Sequence, residues 1–432
     1  MDHLSRRGFL AGTAATGLIG AGLAACSDGS DDSSTPTSQK PSTHAEVMAK
    51  PSSAPFDTVV VVMMENRSFD CLLGWLPGAN GKQAGLSYAD KHGVVHETWP
   101  MAPDWTGCEM QDPFHFWQAV AGQFNDGKID GFLKLQPDGD LFPLGYYTDE
   151  DLPVLATLAR NYTTFDNYFC SMLGATWPNR FYQLCGTTDV METGSFPAPG
   201  QPRPSHLETA IFDRLSDADL SSAYYSPGEP MTGLFASGRY DSLTKPYEEF
   251  LEHAKTGTLP NVAFVDPDYT AEAEFTGTSN DFHPYGSVKA GDAFLAEVHD
   301  AIRHSPQWDR TVMVINFDEH GGFYDHVVPP AVEDDTVVPA PGPNLKNLGF
   351  RVPAIVVSPF APKKLETAGP YEHCSVLRMI EWRWGLEPMT IRDAKAKNLA
   401  DALDFSKRRD AVTLPEVPPV PVTRCTNPNH VG

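Results

Sequence analysis

The sequence predicts a doubly wound α/β fold, with a mostly parallel central sheet and helices on both faces. Three observations predict it. Short β-branched runs recur along the chain, they stop abruptly at acidic residues, and amphipathic helical stretches lie between them. Strands that alternate with helices build a parallel sheet.

Thr58–Met64 is the first run, TVVVVMM, and it has no polar interruption. Such a run fits a strand buried on both faces. It stops at Glu65, Asn66 and Arg67. Val262–Val265 is a shorter run, followed by Asp266. Over residues 287–303, Val288, Phe294, Leu295, Val298 and Ile302 recur at mostly helical spacing. Thr311–Phe317 is the second long run, and it stops at Asp318, Glu319 and His320. Val352–Val357 reads as a further strand and residues 375–385 as a further helix.

The chain has 432 residues and a formal charge of −24, which argues against a nucleic-acid partner and against electrostatic docking to anionic lipid. Hydrophobic residues make up 41%, enough for a large core. Residues 1–25 have a basic start at Arg6 and Arg7, a modest apolar middle and small residues at the end. This is the layout of an export signal of the twin-arginine type, too short and too weakly apolar for a membrane span. Leu23-Ala24-Ala25-Cys26 resembles a lipobox, which makes Cys26 the expected lipid attachment point and the membrane an expected partner. Residues 26–55 are rich in Ser, Thr, Asp and Pro and read as a flexible tether. The expected location is therefore the outer side of the cytoplasmic membrane, or secreted. Export permits disulfides among Cys71, Cys108, Cys170, Cys185, Cys374 and Cys425, but a twin-arginine substrate folds before export, so folding should not require them. No CxxC pair is present, which argues against a Cys-type zinc site.

In a doubly wound sheet the carboxyl ends of the strands line the ligand crevice. Glu65 and Asn66 stand at one such end, Asp318 and Glu319 at another. One acidic residue after a strand is ordinarily a cap. Two such pairs, each behind a buried-type strand, raise a second reading. Three carboxylates and an amide oxygen repel unless a cation sits among them, and a hard divalent ion is the simplest one. Several histidines stand beside turn formers, including His115, His283, His320, His326 and His373. Histidines near a metal-bound phosphate are natural proton donors. The spacing leaves open which of them converge.

The blocks VVVVMMENRSFDCLLGW, DPFHFWQAV, SMLGATWPNRFY, NDFHPYGSVKAGDAFLAEV, INFDEHGGFYDHVVPP, FRVPAIVVSP and YEHCS occur in this order. Together they resemble the phosphoesterase family of bacterial and plant phospholipases C and bacterial acid phosphatases. The resemblance spans residues 57 to 388 and implies a fold related to alkaline phosphatase, with residues 56–432 as the phosphoesterase domain. It implies metal ligation by Glu65, Asn66, Asp318 and Glu319, with Thr176 as both nucleophile and ligand. His115 and His283 match histidines placed around the phosphoryl group, and Asp281, His320 and His373 fall in matching blocks. The implied activity is a metal-dependent phospholipase C. It would convert phosphatidylcholine-type glycerophospholipids to diacylglycerol and phospho head group through a phosphothreonine intermediate. The metal is Ca²⁺, Mg²⁺, Mn²⁺ or Zn²⁺. An acid phosphatase on small phosphomonoesters uses the same motifs, and a catalytically dead surface-binding lipoprotein is the alternative of another class. Threonine at the nucleophile position leans toward the phospholipase branch. Trp105, Trp117, Tyr146 and Tyr147 are expected as core aromatics, with no choline cage assigned to them.

Overall fold

A computed structural model describes residue 51 and residues 54–425. The expected signal segment, Cys26 and nearly all of the tether lie outside the described residues.

Among the described residues, eight strands form the main sheet. They are β1 (Thr58–Met64), β2 (Thr163–Phe165), β3 (Ser222–Ser226), β4 (Thr244–Pro246), β5 (Val262–Val265), β6 (Thr311–Phe317), β7 (Ala354–Val357) and β8 (Lys364–Glu366). Their spatial order is β8-β2-β7-β6-β1-β5-β3-β4. All pairings are parallel except the two made by β7, which runs against β6 and β2. The expected strand over 352–357 begins two residues late. Arg351 and Val352 are used instead for contacts with the segment around Tyr168 and Phe169.

The two long runs are the sheet centre. Every residue of β1 and of β6 is buried. They pair in register, with Thr58 opposite Thr311 and Met64 opposite Phe317. Each buried valine or isoleucine contributes about 1.5–3 kcal/mol relative to exposure. A one-residue slip would also bring Glu65 or Asp318 into the apolar ladder, so the register is strongly specified.

Five helices matter for the site: α1 (Pro153–Asn161), α2 (Thr176–Cys185), α3 (Tyr247–Thr256), α4 (Val288–Arg303) and α5 (Cys374–Trp384). α1 and α3 pack on α4, while α2 packs on α5, giving two helical groups against the sheet. The expected helices over 287–303 and 375–385 are present as α4 and α5, each within one residue. Buried Asp292 on α4 accepts from the N–H groups of Val154 and Leu155 at 3.0 and 2.7 Å, so it satisfies free donors at the start of α1.

The chain after residue 404 runs back over the molecule. Phe405 stacks on Phe56, the N–H of Val412 donates to the Tyr162 hydroxyl, and Cys425 is disulfide-bonded to Cys108. Cys71, Cys170, Cys185 and Cys374 are buried free thiols. Among the described residues, no helix is long and apolar enough to cross a membrane.

Candidate active site

The parallel register of β1 and β6 governs the residues just beyond both strands. The position after Met64 is Glu65, and the position after Phe317 is Asp318, so the two carboxylates emerge side by side at the carboxyl edge. The N–H of Asp318 donates to Met64 O at 3.0 Å, which carries the pairing one step past the strands. Asn66 then turns into the left-handed region, with φ of 54°, a conformation asparagine tolerates better than most residues. This turn aims its N–H at Asp318 Oδ1, 2.9 Å away. The chain from Glu319 returns so closely that a Cβ on Gly321 would stand 2.3 Å from Asn66 O. Glycine is required there.

Thr176 is the first residue of α2, and its hydroxyl donates to Glu65 Oε2 at 3.4 Å. One turn later, Arg180 reaches the same place. Its guanidinium binds Glu65 Oε1 and Asp266 Oδ1, each at 2.9 Å, and its Nε lies 3.5 Å from Asp318 Oδ2. Arg180 is 2% exposed, so these pairs are almost free of solvent screening.

His115 and His283 face each other, with ring centroids 5.8 Å apart. Nδ1 of each lies against a backbone carbonyl, Pro113 O at 2.7 Å and Pro284 O at 2.8 Å. Those bonds hold the proton on Nδ1 and leave Nε2 as the reactive atom. His115 Nε2 is 3.4 Å from the Asn66 amide and 3.9 Å from Glu319 Oε1. His283 Nε2 is 3.6 Å from Asp112 Oδ2, and its Nδ1 is also 3.1 Å from Glu274 Oε1. Asp281 turns the loop that presents His283 by accepting its N–H at 3.0 Å, while its backbone carbonyl accepts from the N–H of Glu65. Glu65, His115, Thr176 and His283 all line one cavity of about 310 Å³.

His320 and His373 lie behind this cavity. His320 Nε2 bonds Gln123 Oε1 at 2.8 Å, and the same Gln123 donates to Phe114 O beside His115. His373 Nε2 donates to the backbone oxygen of Asp318 at 2.7 Å. Burial pushes both imidazoles down to about 3, so they act as neutral props. Trp105 and Tyr147 stack on each other, and none of Trp105, Trp117, Tyr146 and Tyr147 lines the cavity.

The electrostatics are unbalanced. Burial, then the Asp318 charge, hold the Glu65 carboxyl well above its ordinary value despite Arg180. Burial pushes Asp281 up to about 8. Glu319 also reaches about 8, by burial and the Asp318 charge, against the lowering effect of His115. Burial would lower His115, but the charges of Glu319 and Asp112 outweigh it and raise it to about 9. Burial dominates at His283 and lowers it.

Asn66 Oδ1, Asp281 Oδ2, Asp318 Oδ2 and Glu319 Oε1 are buried acceptor oxygens with no hydrogen-bond partner among the described residues. Buried acceptors left unpaired are rare and cost about 1–3 kcal/mol each. An all-oxygen set of this charge fits a hard divalent cation. Glu65, Asn66, Thr176, Asp318 and Glu319 would hold it.

Sequence reasoning does not single out Arg180, Asp112 or Glu274. Asp266 carries the same strand-end signal as Asp318. Arg180 carries a helical one, lying four residues after Thr176 on the same face. Asp112 and Glu274 carry none, because a loop and a short helix without periodic signal bring them to the histidines.

Residues 56–387 match the Phosphoesterase family. Non-specific phospholipase C6 of Arabidopsis thaliana is 34% identical over 415 residues, covering 87% of this chain and 78% of that protein. Phospholipase C B of Mycobacterium tuberculosis is 28% identical over 419 residues, covering 81% of this chain and 77% of that one. A solved protein of the alkaline phosphatase superfamily from Vibrio parahaemolyticus aligns with a TM-score of 0.38 at 14% identity. That alignment covers 81% of this chain and 71% of that chain. The family match over most of the chain, together with the two phospholipase relatives, identifies it as a member of the phosphoesterase family and a phosphoric ester hydrolase.

Proposed function

We propose that the protein is a metal-dependent phospholipase C that releases diacylglycerol from phosphatidylcholine-type glycerophospholipids. One observation carries the mechanism. The Thr176 hydroxyl opens into the same cavity as the His115 and His283 rings, beside the unpaired oxygens of the carboxylate cluster. A divalent cation bound there supplies charge neutralisation and a lowered hydroxyl pKa.

The rest is done by the chain. Thr176 Oγ1 passes its proton to Glu65 Oε2, the oxygen its hydroxyl faces, and attacks phosphorus; a new P–O bond forms and the bond to the glycerol oxygen breaks. An imidazolium of the His115–His283 pair, protonated at both ring nitrogens, delivers a proton to that oxygen from Nε2. Water then attacks the phosphothreonine and frees the phospho head group; the same pair takes up one proton from the water, and Glu65 returns the hydroxyl proton to Thr176 Oγ1. Asp281 and Glu274 position His283. His320 positions the His115 loop through Gln123, and His373 braces the Asp318 backbone. The same reading makes residues 56–432 the catalytic domain. They would be held outside the cytoplasmic membrane by a lipid on Cys26 and the tether of residues 26–55.

Incubation with phosphatidylcholine mixed micelles tests the activity. Diacylglycerol should form, and chelator should abolish it. Thr176→Ala should lower turnover on the order of 10³-fold or more while the protein keeps its substrate affinity. Ordinary turnover by this variant removes Thr176 as nucleophile.

A further inference from the structure

His283 is held by loops and a short helix rather than by the sheet. Asp112 faces its Nε2 from one loop, and Glu274 reaches its Nδ1 from the short helix Ala271–Thr276. The turn that carries it is strained. Phe282 and Tyr285 both lie in the left-handed region, with φ of 84° and 78°. For a bulky side chain that conformation is unfavourable and persists only where the surroundings impose it.

The segment around Cys425 packs against this turn. Cys425 is joined to Cys108 across 317 residues of sequence, the one disulfide among the described residues. Its Sγ lies 3.8 Å from Tyr285 O. The Cys108 loop accepts the Tyr285 N–H at Thr106 O and the Val288 N–H at Trp105 O, both at 2.9 Å. The Tyr285 hydroxyl carries the constraint onward. It accepts the Asp112 N–H at 2.8 Å and donates to Met110 O at 3.3 Å. Thr423 O sits so close to Gly277 that a Cβ there would stand 2.1 Å from it. Gly277 closes the helix that carries Glu274. The disulfide-linked tail therefore bears on the His283 turn, the Asp112 loop and the Glu274 helix, the three segments that orient one imidazole.

We propose that the Cys108–Cys425 disulfide is a clasp that positions His283 for proton transfer, with Tyr285 as the positioning residue through which it acts. The tail has other attachments, Phe405 on Phe56 and the Val412 N–H on the Tyr162 hydroxyl, so the bond is not what docks it. Closing the bond instead removes freedom from loops that no strand fixes, and a proton donor displaced by about 1 Å loses much of its effect. This rests on the place given to His283 in phosphoryl transfer.

Turnover of the metal-loaded full-length enzyme is measured on phosphatidylcholine mixed micelles and on p-nitrophenyl phosphate. Dithiothreitol opens the clasp in the unaltered protein. Two electrons and two protons pass from the dithiol to the sulfurs, giving two thiols and a cyclic disulfide. kcat should fall about tenfold while KM moves by less than about twofold. Oxidised glutathione, which takes up two electrons and two protons as the bond re-forms, should restore it. Cys425→Ser should show the same loss without reductant, and Tyr285→Phe, which keeps the disulfide, a loss of about threefold. The deciding readout is a cycle with His283→Ala, whose residual turnover should change by less than about twofold when the clasp is also removed. Full kcat in both the reduced enzyme and Cys425→Ser, or losses that multiply in the double variant, overturns the clasp. Ordinary turnover by His283→Ala on both substrates removes the imidazole from the chemistry, and the clasp's role with it. If only p-nitrophenyl phosphate is hydrolysed, the phospholipase reading falls, and the cycle on that substrate still decides whether the clasp acts through His283.

Discussion

Asp70, Asp325 and His326 converge with ligand atoms within 4.8 Å of one another, and so do Asp112, His115 and His283 beside the Glu65–Asp318–Glu319 edge. Both clusters sit next to matched motifs, and both mix carboxylates with imidazole. They differ in what neutralises them. In the first, buried Arg351 stands between the acids, donating from Nε to Asp325 Oδ1 at 2.9 Å and from Nη2 to Asp70 Oδ1 at 3.1 Å. Backbone N–H groups of Lys82 and Val327 fill further positions, and no side-chain oxygen of Asp70 or Asp325 is left unpaired. In the second, one guanidinium, Arg180, serves Glu65, Asp266 and Asp318, while Glu319 and Asp281 keep unpaired oxygens. Residue type alone therefore does not mark a metal site. A shortage of internal positive charge does.

The sharpest way to break this contrast is metal analysis of two matched variants. Asp318→Asn should lose the bound divalent ion, and Asp70→Asn should retain it, as read by elemental analysis after gel filtration. Retention in Asp318→Asn would move the ion away from the strand edge.

Removing the internal cation should act on stability instead. Arg351→Ala leaves Asp70 and Asp325 buried without their partner and also breaks bonds to the backbone oxygens of Asn80 and Asp166. Breaking a buried pair in this way costs about 3–5 kcal/mol. Urea unfolding should show that loss, and added divalent metal should not restore it. Recovery with metal would mean that the Arg351 cluster is a metal site after all.

The contrast also shows what a sequence can carry. β1 and β6 are readable because a seven-residue apolar run has few other destinations, and the acids behind them mark the strand ends. β2, β4 and β8 are not readable, since each is three residues long and is held by its neighbours in the sheet. Strand direction is equally hidden. A short apolar run such as AIVV looks alike in either orientation, and only the antiparallel pairing of Ile315 with Ile355 reveals that β7 is reversed. Glu65, Asn66, Asp318 and Glu319 are legible from spacing, whereas Thr176 is legible only by resemblance. Glu274 is legible in neither way, because a short helix over residues 271–276 carries it to His283 from a loop with no periodic signal.

Proton linkage gives the smallest and most discriminating test. In the metal-free protein, Glu319 is raised from an ordinary 4.5 to about 8, first by burial and then by Asp318. The folded state therefore holds a proton that the unfolded state releases between those values, and metal-free stability should fall as pH rises through that window. A metal ion must displace the same proton, so its affinity should rise with pH up to about 8. Asp325 is raised from 3.8 to about 6 by burial, against the lowering charge of Arg351. Its contribution has the same sign, ends near pH 6, and should not respond to metal. Melting curves with and without the ion should then converge near pH 5 and separate progressively toward pH 8. A metal-induced shift of equal size at both ends would place the ion on groups that are already ionised at pH 5, and would return Glu319 to the role of a structural acid like Asp325.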